Sequence, residues 1–178
     1  MASIAKHAGV SQGIVVFHFQ TKDMLLEQTL RRLSDDYSNC WKSAYNSVEA
    51  EPLARLCALI KAVFSTTICT PKLVGVWYSF WSDSRSRLLY KDLCGKQDIA
   101  YSSYLLKQCQ ILETSEASTL SAHVAALSIE SMISGLWQEF LIGSPGLKQR
   151  EAVSTVFKLL QLIYPERCNE IEKLENKR

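Results

Sequence analysis

The chain has 178 residues, 47% of them hydrophobic and 21% charged, so a packed core is within reach of one ordinary domain or a small module joined to a larger one. A net charge of +2 is too mild to imply nucleic acid by itself, so any basic patch must be local. Four prolines and seven glycines disfavour a turn-rich β fold, no apolar run approaches the roughly 18 residues of a membrane span, and no basic-then-apolar signal opens the chain, so a cytoplasmic protein is expected.

The first predicted element is a helix over residues 2–10, with Ile4, Ala5 and Ala8 on its inner face. Gly9 accepts a left-handed turn without strain, Val10 can plug the junction, and Ser11 is a good N-cap for the next helix. That helix, residues 12–19, is too short to be stable without tertiary packing. Thr21 caps a long third helix striped by Leu26, Leu30, Leu33, Tyr37, Trp41 and Ala44. Glu51-Pro52 starts a fourth, carrying Leu53, Leu56, Cys57, Ile60 and Val63. Thr70-Pro71 restarts the chain, and residues 73–81 are apolar nearly all round, as in a helix buried on several sides.

A polar break at "SDSRSR" precedes a helix predicted from about Ser86, with Gly95 as a possible kink. Thr114 or Ser115 is the predicted N-cap of the next helix, which ends at Gly143. A last helix runs to Tyr164 and stops at Pro165, and the charged tail beyond is predicted to fray or form a short helix. The fold class is therefore all-α. Residues 1–47 form a small helical unit, its long helix included; residues 48–165 form a five-helix body; residues 166–178 are a tail.

Two short helices joined by a glycine-containing turn make a helix-turn-helix, whose second helix presents its N-terminal residues to base edges. Ser11, Gln12 and Gly13 occupy those positions: Gln12 can pair bidentately with adenine, and Gly13 permits close backbone approach. Ile14 and Val15 continue the same groove-facing run. Lys22, in the first turn of the third helix beside Thr21, can bind a phosphate. On spacing alone, two short apolar helices around a glycine are equally at home in any α protein.

The run "IAKHAGVSQGIVVFHFQTKDMLL" resembles the helix-turn-helix signature of TetR-family transcriptional regulators. The matching elements are Ile4-Ala5, Ala8-Gly9-Val10-Ser11, Gly13, His18-Phe19, Lys22 and Leu25-Leu26, in order and without a gap. The resemblance implies an all-α homodimer that represses promoters through a palindromic operator and releases DNA when a small ligand binds its body. It adds Ser3, Phe17 and His18 to the expected DNA contacts. The match departs at three places. His18 and Val16 stand where tyrosines contact phosphates in the family, and Phe17 stands where histidine is frequent. Met1 falls inside the motif's first helix, although the family carries a full helix before it. A late-assigned start or a fragment is the simplest reading. A ligand-binding dimer without DNA activity is the alternative.

Further on, "VWYSFWSDSRSRLLYKDL" and "SMISGLW" are similar to the C-terminal region of the betaine-inhibitor branch. That resemblance implies choline or a related quaternary ammonium as effector. Trp77, Tyr78 and Trp81 fall at i, i+1 and i+4 of one helix, and Tyr90 and Trp137 come from neighbouring elements. Such aromatics can hold a cation, or simply fill a core. Asp83 and Glu139 are the carboxylates nearest in sequence. Leu120, Val124, Leu127 and Ser131 follow one line of the penultimate helix; with Val153, Phe157 and Leu160 of the last, they form the expected dimer face. A monomer that buries both faces is the alternative.

The six cysteines lie beside apolar neighbours without a C-x-x-C pair, and the three histidines are scattered, so neither disulfide nor metal is expected. No nucleophile, phosphate-loop or paired-carboxylate motif appears. The expectation is a regulator, not an enzyme, without a cofactor.

Overall fold

The structure, a computed structural model, describes residues 1–82, 84–115, 118–143 and 146–177. Its elements are α1 (Ala2–Ala8), α2 (Gln12–Phe19), α3 (Lys22–Asn46), α4 (Pro52–Val63), α5 (Pro71–Ser82), α6 (Ser84–Ser115), α7 (Ala122–Ile142), α8 (Gln149–Ile163), a 3-10 turn (Pro165–Arg167) and α9 (Cys168–Asn176). Among the described residues there is no strand, and no helix is long and apolar enough to cross a membrane.

The helix starts follow local chemistry. The Ser11 hydroxyl accepts from the Ile14 amide at 3.2 Å, and the Thr21 hydroxyl from the Met24 amide at 3.1 Å. The Glu51 carboxylate accepts from the Ala54 amide at 2.6 Å, with Pro52 in the first turn. Each cap satisfies an amide that the helix itself leaves unpaired. At the other ends, Gly9 (φ 68°) and Gly143 (φ 83°) close α1 and α7 in the left-handed conformation that favours glycine.

Helix α4 is central. Leu53, Leu56, Cys57, Leu59, Ile60, Ala62 and Val63 are all buried, which covers nearly every face, and α3, α6, α8 and α9 pack around it. Burying each of its leucines and Ile60 contributes about 1.5–3 kcal/mol. Helix α3 packs along α4 and α6 through Leu30 and Trp41, both fully buried, while α2 packs beside it. Helix α7 lies against α5, α6 and α8. All six cysteines are free thiols, four of them buried.

Two boundaries differ from the sequence reading. Thr114 and Ser115 do not cap α7: their hydroxyls donate back to the Ile111 carbonyl, each over 2.9 Å, so they close the last turn of α6. Ser121 is the cap, accepting from the Val124 amide at 3.5 Å. The tail also folds. Ile171 is fully buried, Lys61 Nζ donates to the carbonyls of Leu174, Glu175 and Lys177 over 2.6, 3.0 and 2.7 Å, and Arg167 pairs with Glu51 at 2.9 Å. One buried isoleucine and a lysine on the last carbonyls of α9 anchor what composition alone marks as solvated.

Candidate nucleic-acid interface and ligand cavity

Helices α1 and α2 pack together around a tight corner. The Val10 amide donates to the Ala5 carbonyl at 3.0 Å and the Gly9 amide to Lys6 at 3.3 Å, which tie off the end of α1. The chain then extends through Ser11 (φ −73°, ψ 152°) and re-enters helix. Gln20 (φ 54°) ends α2, its amide donating to the Val16 carbonyl at 2.8 Å.

Only Ala5 in α1 and Val15 in α2 are buried. This corrects one expected contact: Val15 is 5% exposed and points into the packing, so it cannot face a groove. The other expected contacts in this unit, Ser3, Ser11, Gln12, Gly13, Ile14, Phe17, His18, Thr21 and Lys22, are exposed. Phe17, at 81% exposure the most open large apolar side chain of the described residues, stands edge-on to His18 with ring centres 5.3 Å apart. A mainly apolar helix that leaves Ile14, Val16 and Phe17 open presents a surface fit for thymine methyl groups and sugar edges. The Ser3 carbonyl is 2.8 Å from His7 Nδ1.

The second site is a cavity of about 260 Å³ between α3, α5, α6 and α7. Each helix supplies a stripe at helical spacing: Trp77 and Trp81 from α5, Asp98, Tyr101 and Ser102 from α6, and Glu130, Ile133, Ser134 and Trp137 from α7. Tyr90 lies two turns before Asp98, and α3 contributes Tyr37. The rings meet edge to face: Trp81–Tyr90 at 5.6 Å, Trp77–Tyr90 at 6.0 Å, Tyr37–Trp77 and Tyr37–Trp137 each at 6.3 Å. Trp137 is held by its indole N–H, which donates to the Val63 carbonyl at 3.1 Å.

The polar groups are few and acidic. Tyr90 donates its phenolic hydrogen to Asp98 over 2.6 Å. Burial pushes the Asp98 carboxyl up, the Tyr90 hydrogen bond pulls it back, and Glu130 pushes it up further. Glu130 Oε1 is buried and has no hydrogen-bond donor among the described residues. Burial raises Tyr37, Tyr90 and Tyr101 as well, so all three stay neutral phenols at physiological pH. The described lining contains no Lys, Arg or His, so the cavity is an aromatic box with an acidic wall.

Four of the five expected ligand residues, Trp77, Trp81, Tyr90 and Trp137, line this cavity. Tyr78 does not: one residue after Trp77 it turns about 100° around the helix, and its hydroxyl donates to the Ser134 carbonyl at 3.4 Å. Of the carboxylates nearest in sequence, Glu139 is exposed and absent from the lining, and Asp83 lies outside the described residues. Tyr37, Tyr101, Asp98 and Glu130 were not anticipated. Glu130 was readable from its place in the i, i+3, i+4, i+7 stripe that ends at Trp137.

The expected dimer face is corrected too. Phe157 and Leu160 are fully buried within one chain, and Leu120 and Val153 are half-buried against the same core. Val124, Leu127 and Ser131 are exposed, as are Leu141 and Ile142 on α7 and Leu162 on α8. Among the described residues no cluster of histidine, cysteine or carboxylates is built to hold a metal.

Residues 1–29 match the family model of bacterial regulatory proteins of the tetR family, and residues 52–164 match that of the BetI-type transcriptional repressor C-terminal region. An HTH-type transcriptional regulator BetI 2 of Chromohalobacter salexigens is 32% identical over 151 residues, 84% of this chain and 70% of that protein. An HTH-type transcriptional regulator BetI of Paraburkholderia phymatum is 30% identical over 149 residues, 77% and 68% of the two chains. A crystal structure from Pseudomonas aeruginosa PAO1, described as a transcriptional regulator, superposes with a TM-score of 0.67 at 21% identity, covering 96% of this chain and 81% of that one. That likeness is one of fold.

Proposed function

The chain belongs to the TetR family of bacterial regulatory proteins and is a DNA-binding repressor with a BetI-type C-terminal region; we propose that a small organic ammonium of choline's size, held in the aromatic cavity, sets its grip on a palindromic operator. The observation that carries this reading is the cavity itself: π faces and two carboxylates, without a basic side chain among its described lining. Aromatic rings and negative charge together favour an organic cation, by about 0.5–2 kcal/mol per well-placed ring.

Residues 1–47 act as the reading unit and the helices after them as the sensing and pairing body, with the folded tail as part of the latter. Gln12, Gly13 and Ile14 read base edges, while Ser3, Ser11, Phe17, His18, Thr21 and Lys22 set register on the backbone. Two copies pair through Val124, Leu127 and Ser131 of α7 and Leu162 of α8, exposed residues on helices that pack together. A symmetric pair of reading helices must span successive major grooves, about 34–36 Å apart. Tyr37 belongs to α3, the helix that leaves the reading unit, so cavity contents bear on that spacing directly. An operator-binding regulator works in the cytoplasm and needs no catalytic chemistry.

The test is a promoter-DNA titration with and without choline, read alongside tryptophan fluorescence. The proposal expects salt-dependent DNA binding that choline changes, with fluorescence saturating over the same range. Salt-independent binding, or DNA binding indifferent to a ligand that fills the cavity, sinks it.

A further inference from the structure

The cavity holds two carboxylates in different states. Asp98 already accepts the Tyr90 hydroxyl at 2.6 Å. Glu130 Oε1 is buried, yet no donor reaches it from the described residues. It also bears on its neighbours: after burial itself, Glu130 is among the causes that raise Tyr37 and Asp98, and the second cause for Tyr101. A buried carboxylate oxygen left without a donor is costly, so whatever fills the cavity must serve it.

A quaternary ammonium satisfies the rings and the charge but carries no N–H. On entering, it strips water from Glu130, and its cationic head offers only methyl groups in return; the hydroxyl that choline carries is common to the matching amine. A protonated amine of the same shape presents the same apolar surface and adds one N–H aimed at the carboxylate. We infer that this site selects a protonated amine bearing at least one N–H over the matching quaternary ammonium, with Glu130 accepting that hydrogen bond and Asp98, engaged by Tyr90, supplying charge. The inference rests on the cation-binding reading of the cavity and narrows the chemical class of its effector.

The probes are choline, N,N-dimethylethanolamine (protonated at pH 7) and the neutral isostere 3,3-dimethylbutan-1-ol, titrated into the full chain by calorimetry and tryptophan fluorescence. A charge-assisted hydrogen bond predicts that dimethylethanolamine binds about tenfold or more tightly than choline. Glu130→Gln should erase that preference. Asp98→Asn should weaken both cations and keep the preference. Thermal melting of each variant reports folding, and the comparison of the two cations on the unaltered chain needs no variant. Choline binding as tightly as dimethylethanolamine, or tighter, overturns the inference and leaves the cation reading intact. A preference that survives Glu130→Gln and disappears in Asp98→Asn overturns it in the same way. Equal affinity for the neutral alcohol, or no binding of any probe, overturns both.

Discussion

Tyr37 and Trp137 stand edge to face, ring centres 6.3 Å apart and planes at 88°, and join the helix that leaves the helix-turn-helix unit to the far wall of the aromatic cavity. Tyr37 also meets Trp77 and Tyr101, at 6.3 and 6.0 Å. A side chain with three aromatic neighbours cannot shift alone, so a ligand that displaces the cavity walls displaces α3. Tyr37→Leu keeps an apolar side chain but removes the edge-on contacts. Coupling between effector and operator is typically about 1–3 kcal/mol, or 5–150-fold in affinity. In the variant, operator affinity measured with and without effector should converge, while the effector-free affinity stays near that of the unaltered chain.

Lys22 and Gln12 should fail differently. Lys22 is exposed in the first turn of α3, beside the amide that Thr21 caps. Lys22→Ala should weaken every DNA sequence alike and lower the salt slope by about one. Gln12→Ala should cost about 1–3 kcal/mol on the operator, little on random DNA, and leave the slope unchanged. Fluorescence anisotropy at several salt concentrations separates the two.

The α7 and α8 residues split into exposed and buried sets. Leu127 and Leu162 are 55% and 72% exposed, so Leu127→Glu with Leu162→Glu should yield a folded monomer by light scattering at micromolar concentration. Phe157 is fully buried, so Phe157→Ala should cost about 3–5 kcal/mol in urea unfolding, whatever the oligomeric state.

The buried thiols should make the fold labile to alkali. Burial pushes Cys57 up to about 12 and Cys109 up to about 11, the latter eased by a hydrogen bond with Tyr164. An unfolded thiol ionises near pH 8.5. Below that pH both states hold the proton, so the contribution of these thiols to stability is intact; above it only the unfolded chain releases protons. Stability should therefore fall between about pH 9 and 11, by at most about 1.4 kcal/mol per pH unit for each thiol. Melting temperatures across that range, compared with Cys57→Ala, isolate the effect. Thiol labelling of the native chain should reach partly exposed Cys40 and Cys168 before the buried four.

Local chemistry made much of this legible in the sequence. Ser11, Thr21 and Pro52 start helices where their capping chemistry says, and Gly9 turns where only a positive φ serves. Trp77, Trp81, Tyr90 and Trp137 reach one cavity because each lies on the inner stripe of a long helix. Val15 was not legible. In an eight-residue helix that is apolar nearly all round, no periodicity names the inward residue, and packing of α2 against α1 and α3 made the choice. Nor could spacing distinguish Phe157 and Leu160 from a free face. Helix α8 is amphipathic, but α9, drawn from the charged tail, folds back to pack on it and on α4.

The sequence by itself determined an all-helical chain, the helix-turn-helix with its caps, and the aromatic residues of the body, because capping, turn conformation and helical periodicity act within a few residues. The tertiary structure alone decided which carboxylates share the cavity. Asp98 and Glu130 lie 32 positions apart on different helices, and Tyr37 comes from a third. Only the packing of α3, α5, α6 and α7 brings them together, and that same enclosure leaves Glu130 Oε1 without a donor among the described residues.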